Sequence, residues 1–173
     1  MVKKIMDKDG LGKTLARLAH EVIEKNDNLE EIAMVGIKSR GDLIAARIAA
    51  RIEKLSGKTI PVGAIDITFY RDDVSLKISN NPQSTDIKFS IDGKNIILVD
   101  DVLFTGRSTR AAIDALLDLG RPKKIQLLVL IDRGHKQLPI HADYVGKNIP
   151  TSFKEAVEIK MQESDGEDGV AIL

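Results

Sequence analysis

The stretch from Asn95 to Arg110, NIILVDDVLFTGRSTR, constrains the fold more than any other part of this chain. Ile96 to Val99 form an apolar run too short for a helix core, and two carboxylates, Asp100 and Asp101, stand at its end. Such a run reads as a strand of a parallel sheet, buried on both faces, that delivers acid to the sheet edge. Next comes Thr105-Gly106-Arg107-Ser108-Thr109, a hydroxyl-rich turn, followed by a helical period through Ala112, Ile113, Leu116 and Leu117. A turn of this kind at a helix N-terminus cradles phosphate. Its unpaired N–H groups and the positive end of the helix dipole favour a dianion, and Gly106 permits close approach. The two acids upstream repel phosphate, so vicinal hydroxyls or Mg2+ suit them better. A sugar phosphate with a diol and a metal fits the stretch. A nucleoside triphosphate fits less well, since there is no G-x-x-x-x-G-K-S/T sequence and the order of parts is not a dinucleotide fingerprint.

The same order of parts occurs upstream. Ile32 to Ile37 is a strand, Lys38-Ser39-Arg40-Gly41 a short loop, and Asp42 onward is helical through Leu43, Ala46, Ile48 and Ile52. Ligands of open α/β sheets sit at the carboxyl ends of strands, so Lys38 and Arg40 there form a candidate pyrophosphate site, the plainer alternative being a basic loop in water. Ile125 to Ile131 is a further apolar strand, ending in Asp132-Arg133-Gly134-His135. The alternation predicts an α/β fold, an open and mostly parallel twisted sheet flanked by helices.

Other segments complete the outline. Lys8 to Asn26 reads as a helix that buries Leu11, Leu15, Leu18, Ala19 and Val22, with Lys13, Arg17, His20 and Glu24 on the opposite, solvated face. Val62 to Tyr70 has the period of a half-exposed strand, and from Arg71 to Asp92 the periodicity lapses into a loop long enough to be functional or disordered. Gly120 is placed as a helix C-cap. Beyond Pro139, the pieces Ala142–Lys147, Ile149–Thr151, Val157–Met161 and Val170–Leu173 read as a small antiparallel addition, with Glu163 to Gly169 as an acidic turn. At 173 residues a single domain over residues 1–173 is expected. Lysine plus arginine equals aspartate plus glutamate at 26 each, so an RNA site has to be a local patch. Aromatic residues are 3%, which disfavours stacked platforms for nucleic acid. Cysteine is absent, which excludes disulfides and thiolate metal sites, and no apolar run reaches membrane length; a soluble cytoplasmic protein is expected.

The segment VDDVLFTGRST resembles the phosphoribosyl pyrophosphate (PRPP) motif of the type I phosphoribosyltransferases. With YRDDVSLK, IDRGH, LPIHADYVGKNIPT and LARLAHEVIEKN, the resemblance extends over nearly the whole chain. It points to one subfamily, the bifunctional pyrimidine-operon attenuation regulators and uracil phosphoribosyltransferases. The resemblance implies a small hood and a long mobile loop on the parallel sheet. It also implies synthesis of UMP and pyrophosphate from uracil and PRPP with Mg2+, held mainly through PRPP and in part by Asp100 and Asp101. By the same resemblance Asp100, Asp101 and Arg40 are catalytic, Thr105, Gly106, Arg107, Ser108 and Thr109 hold the 5′-phosphate, and Lys38, Ser39, Arg40 and Gly41 hold pyrophosphate. Arg71, Asp72, Asp73, Ser75 and Lys77 belong to the lid, and Ile131, Asp132, Arg133 and His135 to the base site. Phe104 stands where purine-specific members carry a carboxylate, which argues against a purine substrate. A homodimer or larger homo-oligomer is implied as well.

Some members of that subfamily also bind the leader RNA of pyrimidine operons, more tightly with UMP. Arg17, His20, His135, Lys136 and Lys147 are the candidate RNA residues here. Ala16 replaces a usual threonine, and Lys25, Lys136 and His141 stand where arginine is common; lysine is the poorer bidentate donor. A salvage enzyme without RNA binding, or a transferase for another base, remains the alternative.

Overall fold

The computed structural model describes residues 2–70, 72 and 85–173. In chain order the elements are β1 (Lys3–Met6), α1 (Lys8–Lys25), β2 (Ile32–Ile37), α2 (Gly41–Ser56), β3 (Val62–Ile65), β4 (Asn95–Leu103), α3 (Arg107–Leu119), β5 (Lys124–Asp132), β6 (Tyr144–Asn148), β7 (Val157–Lys160), α4 (Gln162–Asp165) and β8 (Gly169–Ile172). Five strands form a parallel sheet in the order β3-β2-β4-β5-β6, and β1, β8 and β7 form a separate antiparallel sheet.

The core follows from the period of two along the strands. Met34, Ile97, Val99, Leu128 and Leu130 pack against α1 and α2, whereas Ala33, Val35, Ile96, Leu98, Leu127 and Val129 pack against α3. Leu11, Leu15 and Leu18 of α1 are fully buried, each worth about 1.5–3 kcal/mol relative to exposure. Asp7 caps that helix, accepting from Gly10 N–H at 2.8 Å. The antiparallel sheet joins the first core through Met6, Ile159, Met161, Val170 and Ile172, and it is the expected hood.

Three expectations need correction. The predicted strand over Val62–Tyr70 stops at Ile65, because Asp66 Oδ1 accepts from both the N–H and the hydroxyl of Thr68 at 2.9 and 2.6 Å and turns the chain. β4 does not stop before the acids but continues through them to Leu103. The piece around Tyr144 is not part of the antiparallel addition: β6 pairs in parallel with β5, and the antiparallel partner of β8 on its other side is β1, at the N-terminal end of the chain. Composition cannot fix the direction of pairing for a strand this short. The path of the chain from β5 does.

Candidate active site

The strand order places the site. From β2 the chain steps outward to β3 and then returns to β4 on the other side, so the crevice at the carboxyl ends of β2 and β4 is the topological switch point. The loop Lys38–Arg40 leaves β2 there, and Asp100 to Thr109 leave β4. Two glycines hold these parts together. A Cβ on Gly36 would overlap the backbone of Asp42, and one on Gly41 would overlap the Val99 carbonyl and lie 3.2 Å from Asp100 Cα. The N-terminus of α2 therefore rests directly on β4 beneath the acids.

Asp100 and the phosphate-type loop come together around one cavity of about 270 Å3, lined by Asp100, Thr105, Gly106, Ser108 and Thr109 with Val102, Leu103 and Phe104. Gly106 opens α3 in the left-handed region at φ 90°, a conformation that favours glycine. Arg107 is turned away from that cavity: its guanidinium donates to Gln137 Oε1 at 3.1 Å and to Asp72 at 3.0 Å. Of the lid candidates only Asp72 is described; Arg71, Asp73, Ser75 and Lys77 lie outside the described residues.

Each acid spends one oxygen on the backbone, Asp100 Oδ1 accepting from Asp101 N–H at 2.9 Å and Asp101 Oδ1 from Val102 N–H at 2.7 Å. Burial pushes the Asp101 carboxyl above the usual carboxylate range, against the opposing pull of Asp100, the Val102 N–H and the Arg40 guanidinium. Arg40 itself stands at φ 75° in front of α2, after a cis peptide bond between Lys38 and Ser39. Its Nη2 donates to Asp165 of the hood at 3.0 Å. Ser39, Arg40, Asp42 and Leu43 face Glu163 and Ser164 across a second cavity of about 380 Å3.

On the other flank, the loop after β5 meets the segment after β6. Ile131 is a wholly buried core side chain. Arg133 is 6% exposed; it lies 4.0 Å from the Phe104 ring centroid and donates to Thr151 Oγ1 and Ser152 O, both at 3.0 Å. His135 Nε2 lies 2.6 Å from Thr151 O, and Phe104, His135 and Phe153 form an aromatic group with centroids 5.2–5.9 Å apart. Asp132 accepts from Gly134 N–H and pairs with Lys136 at 3.2 Å. Sequence reasoning missed Thr151, Phe153 and Asp165. None stands in a periodic pattern, and only the exposure of an aromatic at Phe153, 59%, marks it out.

The RNA candidates divide. Arg17 donates to the carbonyls of Val145 and Gly146 on the edge strand β6 and to Glu21 Oε1 at 2.7 Å. His20 and Lys147 are exposed. Lys25 donates to Asp143 O at 2.8 Å, so cations of α1 cover the carbonyls of that sheet edge.

The profile of the phosphoribosyl transferase domain family matches residues 1–164. The chain is 55% identical to the bifunctional protein PyrR of Pelotomaculum thermopropionicum over 172 residues, 98% of this chain and 94% of that protein. It is 53% identical to the bifunctional protein PyrR of Latilactobacillus sakei over 175 residues, 99% of this chain and 98% of that one. Among solved structures, a hypoxanthine-guanine phosphoribosyltransferase from Bacillus anthracis has the same fold, with a TM-score of 0.71 at 18% identity over 100% of this chain and 99% of that chain.

Proposed function

Since this chain belongs to the phosphoribosyl transferase family, we propose that it is a uracil phosphoribosyltransferase, making UMP and pyrophosphate from uracil and PRPP, and a UMP-responsive regulator of pyrimidine operon attenuation. The observation that carries the transferase reading is the 270 Å3 cavity in which Asp100 and the Thr105–Thr109 turn meet. An anion cradle beside a carboxylate pair matches a ribose 5-phosphate, with its dianion at one end and its vicinal hydroxyls at the other.

The roles follow from charge. Uracil N1 forms a bond to the anomeric carbon as the bond to pyrophosphate breaks and the N1 proton passes to solvent, and positive charge develops on the sugar. Asp100 and Asp101 orient the ribose hydroxyls, and their negative field favours that charge. Thr105, Gly106, Ser108 and Thr109, with the backbone of Arg107, hold the 5′-phosphate, remote binding that positions the reacting carbon. Lys38 and Arg40 meet the leaving pyrophosphate. Among the described residues no group of three or more acids and histidines could hold a metal by itself. Asp100 and Asp101 offer hard oxygens, which fits Mg2+ taking its remaining ligands from water and PRPP. When bound, Mg2+ neutralises charge on the departing oxygens. Phe104, with the Arg133 guanidinium against its ring, presents no general base, in keeping with a pyrimidine whose N1–H is acidic.

The test is pyrophosphate release from PRPP with Mg2+ and either uracil or hypoxanthine. Uracil is expected to be consumed and hypoxanthine not; turnover of hypoxanthine alone would overturn the base assignment.

The regulatory reading rests on the relatives named as bifunctional and on a single face. Arg17 reaches Val145 and Gly146, next to Lys147, so α1 and the β6 edge present their cations together. In a gel shift against the pyrimidine-operon leader RNA of its own organism, affinity is expected to rise with UMP. It should also fall steeply with salt, as counterion release requires. Binding no tighter than to an unrelated RNA would leave a salvage enzyme.

A further inference from the structure

The tip of the hood meets the pyrophosphate loop through Asp165 and Arg40, and the way that contact is built goes beyond a staple. Asp165 Oδ2 is fixed within the hood, accepting from Met161 N–H at 2.8 Å and from Ser164 Oγ at 2.7 Å. Its other oxygen, Oδ1, is turned outward to Arg40 Nη2 at 3.0 Å. The Met161 N–H, the Ser164 hydroxyl and Arg40 hold this carboxyl down at about 2, so it is an anion at neutral pH. Apart from that one bond, Arg40 is held by its backbone. Its carbonyl accepts from Ile44 N–H at 3.0 Å, and Gly41 behind it is packed on β4. Of the five N–H donors of its guanidinium, the bond to Asp165 is the one formed among the described residues. Its Nε is buried with no hydrogen-bond partner among the described residues, beside the cavity of about 380 Å3 between loop and hood.

The hood does not depend on this contact. Arg47 of α2 grips it with a double fork, meeting Glu163 at 2.8 and 2.5 Å and Asp168 at 3.1 and 2.8 Å. One arginine thus gives four bonds to the hood, while Arg40, about two turns away at the start of α2, is held by a single oxygen and keeps donors unused among the described residues.

We propose that Asp165 is an internal competitor for the pyrophosphate group, a fixed carboxylate that occupies Arg40 in the empty site and reclaims it as pyrophosphate leaves. The proposal rests on Arg40 being a pyrophosphate ligand. A pyrophosphate carries more charge than one carboxylate and offers several oxygens to the unused donors, so Arg40 turns to it on binding. The Arg47 fork keeps the hood in place meanwhile. Asp165 therefore sets the affinity for PRPP and pyrophosphate without touching the sugar or the base.

Asp165→Asn tests this, since asparagine keeps an oxygen for Met161 N–H and Ser164 while losing the charge. By calorimetry, magnesium pyrophosphate is expected to bind this variant about two- to fivefold more tightly, the scale of one partly exposed ion pair. KM for PRPP should fall in parallel, with UMP affinity unchanged. Glu163→Gln, which weakens the Arg47 fork alone, should leave both pyrophosphate and PRPP where they were. Unchanged or weaker pyrophosphate binding by Asp165→Asn, or an equal gain in Glu163→Gln, overturns the proposal. Arg40→Ala separates the two levels. Unaltered pyrophosphate binding in that variant removes Arg40 from the site altogether. A loss there, with no effect of Asp165→Asn, removes only the competition.

Discussion

Asp101→Asn lowers turnover by at least about tenfold, which is about 1.4 kcal/mol of barrier, and raises the melting temperature of the ligand-free protein. Both effects have one cause. The Asp101 carboxyl is partly withdrawn from water, and that desolvation holds its pKa above the ordinary value of 3.8. A carboxyl that ionises more readily in the unfolded chain favours unfolding once it does so. Its contribution to stability is fully present below about the unfolded value and is lost as pH rises through the higher folded value. Asparagine has no charge to dehydrate and removes that loss. A gain of about 2–4 °C corresponds to about 1 kcal/mol in a domain of this size. The same charge is what a cationic ribosyl transition state needs beside it, so the substitution exchanges activity for stability. Thermal melts of both forms from acid to neutral pH, set beside steady-state rates, check this. The downward slope of stability with pH should be shallower in the variant. Wild-type turnover would remove Asp101 from the mechanism, and a lowered melting temperature would show that its carboxylate is stabilised by its neighbours after all.

The parts of this site that were legible in the sequence are those in which chemistry and period coincide. The apolar runs of β2, β4 and β5 each end in a polar loop, and a run buried on both faces has few other places to go than the middle of a parallel sheet. Thr105 to Thr109 was read as a turn that opens a helix, and Gly106 does stand in front of α3 in the left-handed region. The hood was legible only in outline. Its strand β1 has four residues and sits in a basic N-terminal stretch, and its pairing with β8 spans nearly the length of the chain, a contact that no local pattern encodes. Asp165 was hidden for a related reason. In QESDGED it is one acid among several in a turn, and only the fold brings it to Arg40. Arg17 was assigned to the outer face from its angular position, and it does lie there. Its length lets it curl back to the carbonyls of Val145 and Gly146, which a helical wheel does not register.

Gly41 offers the sharpest test of how the fold makes the site, and Gly41→Ala is expected to lower kcat/KM for PRPP by about a hundredfold, the scale of a displacement near 1 Å. The sequence placed Gly41 at the end of a basic loop. Its structural role is contact, because its added methyl would overlap the Val99 carbonyl one residue before the acid pair. Backbone cannot yield there as a flexible side chain would, so α2 and β4 must separate. The separation carries Arg40 away from Asp101, whose charges now lie close enough to interact, and opens the crevice from the Lys38 side. The cost in stability is expected to be about 1–3 kcal/mol, as for overpacking in a well-filled core. That leaves the sheet folded, with β4 still paired to β5 over Asn95–Leu103. UMP binding reads out the other half of the site. In the proposed site its 5′-phosphate and ribose meet the Thr105–Thr109 turn and the acids, all carried by β4 and the turn that follows it, so its affinity should fall far less than the pyrophosphate affinity. A variant that loses both to the same degree would mean that the two loops move as one body. Full retention of both would mean that α2 does not hold the pyrophosphate loop in place.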